Sequence, residues 1–145
     1  MVQFKFDWDS HLLLGIDDID EQHKRLFKIG RDIEQYIMIH CIGVTDKQLL
    51  DVLYELRDYV TYHFYTEEEY MASINYPDLA HHKELHDNFK KYINQIDYVK
   101  LCHSPKEELI ILKESLVTWI FEHMIHEDSR FANFAQQKEK NLQDA

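Results

Sequence analysis

The segment Leu79-Ala80-His81-His82-Lys83-Glu84-Leu85-His86-Asp87-Asn88-Phe89 decides the fold. Leu79, His82, His86, Phe89 and Ile93 recur at three- and four-residue steps, which place them on one face of an α-helix. An amphipathic helix buries that face, and here two of its members are imidazoles. The same four-residue step returns in His63 and Glu67, His123 and Asp128 follow downstream, and His23 stands upstream within Ile19-Asp20-Glu21-Gln22-His23. Taken singly, each histidine reads as a hydrogen-bonded core residue. Five of them at inward positions, buried without a metal, would leave many ring nitrogens unpaired. Five imidazoles and two carboxylates on four segments are also too many ligands for one ion.

Outward from this segment, the apolar positions Ile16, Ile19, Leu26, Phe27, Ile33 and Ile37 predict a helix over about 18–40, with Asp17, Asp18 and Asp20 at the positive end of its dipole. Thr45 or Asp46 caps a second helix over about 45–74, whose stripe runs through Leu49, Val52, Leu53, Leu56, Val60, Phe64 and Met71. Pro77 stands at or near the start of a third, about 77–100. Ser104-Pro105-Lys106-Glu107 reads as a capping box opening a fourth, about 105–128, through Leu109, Leu112, Leu116, Trp119, Ile120 and His123. A short last helix, about 129–137, carries Phe131 and Phe134. Residues 1–16, with Phe4, Phe6 and Trp8, read as an arm across the bundle end. Short links between helices of similar length imply antiparallel neighbours, hence an all-α, up-down-up-down four-helix bundle with an N-terminal arm and a short C-terminal helix.

The chain of 145 residues fits a single domain, 45% hydrophobic and 30% charged, with only three Gly and two Pro to interrupt helices. A formal net charge of −11 and the lack of a basic patch argue against nucleic acid and against anionic membrane surfaces. No stretch reaches the apolar length of a membrane span, and residues 1–16 lack the pattern of a signal peptide. Cys41 and Cys102 are isolated and read as two reduced thiols, so a cytoplasmic protein is expected.

The combined marks resemble the hemerythrin family over nearly the whole chain. They are Trp8 in the arm, Gly15 followed by Ile19-Asp20-Glu21-Gln22-His23, His63-Phe64-Tyr65-Thr66-Glu67-Glu68, His82-Lys83-Glu84-Leu85-His86, and Trp119 through His123 to Asp128. The resemblance implies an oxo- or hydroxo-bridged non-haem di-iron centre: His82, His86 and His123 on one iron, His23 and His63 on the other, Glu67 and Asp128 bridging. Five ring nitrogens and four carboxylate oxygens, with the bridging group counted at both metals, fill eleven of the twelve positions of two octahedral ions. The open position falls on the iron with two histidines. Without the resemblance, an imidazole and carboxylate set suits iron, manganese or zinc alike.

Asp128 is the exception to helical geometry. A five-residue step turns about 140° around a regular helix, so it points away from the His123 face, whereas Glu127 at four residues points toward it. The resemblance selects Asp128, and Glu127 stays the alternative. His11, His40, His81, His103 and His126 have no partner at ligand spacing and are expected in solvent. Glu68, Glu69 and Asp87 read as exposed charges or as acceptors behind the ligands, and Asp20 as a charge at the helix N-terminus or an orienting group for His23.

The family resemblance implies reversible O2 binding, for storage, delivery or scavenging. Phe64, Trp119 and Ile120 are the candidates to line a dry O2 pocket. Two other functions fit the same residues. One is an O2, redox or iron sensor acting through a partner protein, for which no fused output domain is seen. The other is a di-iron oxidase, peroxidase or NO-handling enzyme, although the Glu-x-x-His pairs of ferritin-like oxidases do not occur here. No catalytic residue is assigned, and of the oligomeric states a monomer is favoured.

Overall fold

The computed structural model describes residues 5–143, whose regular structure is helical, without a strand. Phe4, read as part of the arm, lies outside the described residues. After a short 3-10 turn at Ser10–Leu12 come α1 (Asp17–Met38), α2 (Asp46–Ser73), α3 (Leu79–Asn94), α4 (Tyr98–His103) and α5 (Pro105–Trp119). A π-helical segment, Ile120–Glu127, then leads without a break into α6 (Asp128–Gln143).

The direction of each helix can be read from what it buries. One large apolar core holds Leu26 and Phe27 of α1, Leu56 and Val60 of α2, Phe89 and Ile93 of α3, and Leu112 and Leu116 of α5. A smaller one at the other end holds Ile19, Met71, Tyr76 and Phe131. Between them lies a layer containing His23, His63, Glu67, His82, His86, His123 and Asp128, all buried. Along α1 and α3 the order is small core, polar layer, large core; along α2 and the run from α5 into α6 it is the reverse. The four long helices therefore alternate in direction. α2 packs on α1 and α3, and α5 closes on α1, while α3 and α5 diverge around a cleft of about 650 Å³.

Two helix boundaries differ from the sequence reading. The third helix does not run to 100 but ends at Asn94, and α4 restarts at Tyr98 with the Asp97 carboxylate accepting the Val99 and Lys100 amides. The last helix runs to Gln143 instead of about 137, and Lys138 donates to the Ile74 carbonyl at 2.7 Å, neutralising the end of α2. Two caps differ in detail as well. Thr45 and Gln48 do form a capping box, but Ser104 makes no side-chain cap: its amide still closes α4 on Lys100, so it ends one helix while starting the next. Pro77 sits in the turn before α3, two residues ahead of its first residue.

The arm is fastened at two points. The Asp20 carboxylate accepts the amides of Leu14 (2.7 Å) and Gly15 (3.1 Å), where Gly15 takes a φ of +84° that suits glycine alone. Phe6 and Trp8 both meet the ring of Phe27 edge-on, and the Phe6 ring lies so close to Gly30 that no β-carbon fits there. Cys41 and Cys102 are free thiols packed against the large core. Among the described residues no helix is long and apolar enough to cross a membrane.

Candidate metal centre

Each donor arrives in the polar layer by the periodicity of its own helix. His63 and Glu67 on α2, and His82 and His86 on α3, are four-residue pairs on inward faces, so each pair directs two donor atoms at the space between the helices. His23 comes from α1 and His123 from the π segment. All seven side chains are no more than 3% exposed.

Asp128 reaches the layer because the backbone before it is not a regular helix. The Asp128 amide donates to the His123 carbonyl, five residues back, and this wider turn brings a five-residue step onto the His123 face. One oxygen of Asp128 lies 2.9 Å from His82 Nε2 and 3.1 Å from His123 Nε2; the other lies 3.1 Å from His23 Nε2. Glu127, the alternative, is instead half-buried and paired with Arg130 at 3.1 Å.

The donors fall into two clusters. Glu67, His82, His86, His123 and Asp128 form one, and His23, His63, Glu67 and Asp128 the other, each with its ligand atoms within 4.8 Å of one another. Only the two carboxylates belong to both.

Short separations here are not ordinary hydrogen bonds. Both ring nitrogens of His23 and of His82, Nδ1 of His123, and all four oxygens of Glu67 and Asp128 are buried without a hydrogen-bond partner. The Nε2 atoms of His86 and His123 stand 2.9 Å apart. So many unsatisfied buried atoms are costly unless a cation takes their lone pairs, and imidazole with carboxylate and no thiolate suits a hard or borderline transition metal.

Two of the candidate ligand rings are held from behind. His63 Nδ1 meets Gln22 Oε1 at 2.6 Å, and the Gln22 amide donates in turn to Thr66 Oγ1. His86 Nδ1 meets Glu68 Oε2 at 3.0 Å. With each Nδ1 engaged as a donor, the Nε2 lone pair is left free to face the layer. Glu68, read either as an exposed charge or as an acceptor, accepts from His86. Gln22 was missed, since nothing in its spacing marks it until α1 is packed on α2. Asp20 serves the arm and does not touch His23, and the five remaining histidines are exposed.

The three pocket candidates separate. Ile120 is fully buried. The Phe64 ring stacks on His86 at 4.0 Å, not on its neighbour His63, from which it is tilted at 5.8 Å. Adjacency in sequence misleads here, because successive helical residues point about 100° apart. Trp119 is half-buried and stacks between His123 (3.9 Å) and Phe89 (4.1 Å), forming part of the wall of the cleft between α3 and α5. The ring that lies flat on His63, at 4.7 Å, is Tyr59. Its signal was the four-residue step ahead of His63 on the same face.

Charge in the layer is balanced by protons when no cation is bound. Burial and the Asp128 charge push the Glu67 carboxyl up, but His63 and His86 outweigh them and hold it at about 2. Burial likewise opposes ionisation of Asp128, yet His123, His23 and His82 keep it well below the usual carboxylate range. Burial pulls His86 down, and Glu67 and Glu68 more than reverse this, to about 9; burial also opposes the charge on His23, and Asp128 raises it on balance. For His63 and His123 burial prevails and both stay low. A metal bound through His86 would therefore have to displace its proton at neutral pH. Uptake of Zn(II) or Fe(II) should release protons into weakly buffered solution, and affinity should rise with pH up to about 9 and level off above it. Isotherms at three pH values below 9 check this, and a flat series would mean that His86 is not displaced.

Residues 14–135 match the family model described as "Hemerythrin HHE cation binding domain". The chain is 33% identical over 128 residues to a bacteriohemerythrin of Clostridium acetobutylicum, covering 87% of this chain and 98% of that protein. It is 32% identical to a bacteriohemerythrin of Campylobacter jejuni (86% and 90% covered) and 29% identical to a hemerythrin-like protein of Naegleria gruberi (87% and 90% covered). With a matched family model that spans all four helices and every residue of the buried polar layer, this chain belongs to the hemerythrin family.

Proposed function

We propose that this chain binds O2 reversibly at a non-haem di-iron centre, in storage, delivery or scavenging within the cytoplasm. His82, His86 and His123 would hold one iron and His23 and His63 the other, with Glu67 and Asp128 available to both. The observation that carries this reading is the sharing of those two carboxylates, and of no other residue, by the two donor clusters. A pair of ferrous ions would supply the two electrons on which reversible dioxygen binding depends.

The chain's own residues do the rest. Gln22 and Glu68 fix the rings of His63 and His86, so that both project Nε2 into the layer. Phe64, Trp119 and Ile120, with the large apolar core behind them, keep water and external acids from the centre. The cluster with fewer protein donors, His23 and His63 with the two bridges, is the one left able to accept a small ligand.

Elemental analysis should give two irons per chain. The reduced protein should develop a visible absorption band in air and lose it under vacuum, over repeated cycles. One metal per chain, or two zincs in natively produced protein, overturns the assignment.

A second reading, oxidation of a small organic molecule, is favoured by the cleft between α3 and α5, where Trp119 and His123 reach the wall. Irreversible O2 consumption that speeds up with an added organic reductant would select it. The acidic net charge supports neither nucleic-acid nor membrane binding.

A further inference from the structure

The hydroxyl of Tyr59 is, with Arg57 Nε, one of two buried side-chain polar atoms among the described residues that have no hydrogen-bond partner and lie outside the proposed ligand set. Tyr59 is 2% exposed, and its hydroxyl has no hydrogen-bond partner among the described residues. A phenol placed in a core is normally given an acceptor, and leaving the hydroxyl unmatched is costly. The neighbours on its ring do not supply one: His63 lies flat against it at 4.7 Å and 16°, and Phe64 meets it edge-on at 6.2 Å.

Its direction follows from α2. Tyr59 and His63 leave the same face one turn apart and lie nearly parallel, so both project into the bundle together. The phenol is the longer side chain. It extends from the same inward face as His63, toward the layer in which His63 Nε2 meets the Glu67 carboxylate. His63 belongs to the four-donor cluster, which has one protein donor fewer than its neighbour and so would leave a position to a small exogenous ligand.

We propose that Tyr59 donates a hydrogen bond to the small ligand held at the His23 and His63 metal position, whether O2 or a small anion, and so adds a polar contact to an otherwise apolar pocket. This rests on the di-iron reading above. A phenol keeps its proton at neutral pH, so the group is a hydrogen-bond donor there. The contact raises the affinity for an anion or a polarised diatomic molecule, and it leaves the metal ligands untouched.

The test is Tyr59→Phe, which removes one oxygen and keeps the ring on His63. The oxidised, iron-loaded wild-type and variant proteins are titrated with sodium azide, followed by visible absorption, and the metal-free forms are melted. The variant should keep two irons and a metal-free melting temperature no lower than wild type, since an unmatched hydroxyl has been removed. Its azide Kd should rise about tenfold, equivalent to about 1.4 kcal/mol, and the stretching frequency of bound azide should move. Equal azide affinity in the two proteins overturns the role of Tyr59 and leaves the di-iron centre standing. Loss of iron from the variant also overturns it, by making Tyr59 part of the metal-holding shell. Wild-type protein that takes up no iron or no azide overturns the di-iron reading itself, and is seen before the variant is considered.

Discussion

Asp128→Ala should empty both metal positions, whereas Glu127→Ala should leave both filled. Asp128 has an oxygen within 3.1 Å of Nε2 on each of His23, His82 and His123, so its loss removes a donor from each cluster at once. Replacing His82, a member of one cluster alone, takes a donor from that cluster only. Loss of Asp128 also removes the negative charge that favours a cation in the layer, leaving Glu67 as the one buried carboxylate among five imidazoles. Iron content per chain should fall from two to below one, and the stabilisation that bound metal confers on the folded state should go with it. At metal concentrations about a hundredfold above Kd that stabilisation is about 2.7 kcal/mol, so the melting temperature of the loaded protein should drop by several degrees. Glu127→Ala breaks a surface pair with Arg130 and is expected to cost less than about 1 kcal/mol. Iron analysis and thermal melts of the two variants decide it. Full iron retention by Asp128→Ala would show that the carboxylate is only a hydrogen-bonding neighbour.

The same residue shows where sequence reasoning reached its limit. Periodicity located His63, Glu67, His82 and His86 because regular helices carry them, and steps of four translate directly into a shared face. It turned Asp128 away, because the 140° offset of a five-residue step assumes a regular helix. The chain is not regular there: Ile120–Glu127 winds more widely, and no Pro or Gly within it announces the change. The break between α3 and α4 was hidden for a related reason. Asn94-Gln95-Ile96-Asp97 contains no strong helix breaker, and the stop is visible mainly through Asp97, whose side chain caps the next helix. The sequence reading ended the last helix at about 137, yet Lys138 finds the end of α2, a contact that exists only once the bundle has formed. Contacts between helices were the part that the sequence could not reveal. Gln22 behind His63, and Phe64 against His86, depend on how two helices face one another, and periodicity within one helix carries no information on that.

Phe64→Ser and Ile120→Asn should shorten the life of the oxygenated protein without removing iron. Phe64 is the aromatic residue common to both clusters, stacked on His86 at 4.0 Å and lying 5.8 Å from His63 and 6.4 Å from His123. Ile120 is fully buried one turn before His123 and belongs to the large apolar core. Either substitution brings a hydrogen-bonding group, and with it water, beside the ligands without altering any donor atom. If these side chains keep the centre dry, a proton source then reaches it, and conversion to the oxidised, O2-inert form should be at least about tenfold faster, about 1.4 kcal/mol off the barrier. If they only fill the core, the expected signature is different. Truncating a buried Phe costs about 3–5 kcal/mol of stability through the cavity it leaves, while the decay rate of each folded, iron-loaded molecule stays the same. Phe64→Leu separates the two cases further, because it leaves a smaller cavity and introduces no polar group: decay close to wild type is expected, with a moderate loss of stability. Rapid mixing of the reduced proteins with O2, with decay normalised to iron content, gives the answer. Unchanged decay in both polar variants would remove exclusion of water as the support for the proposed reversible O2 binding, and would shift the balance toward the oxidase reading, in which the cleft beside Trp119 admits a reductant.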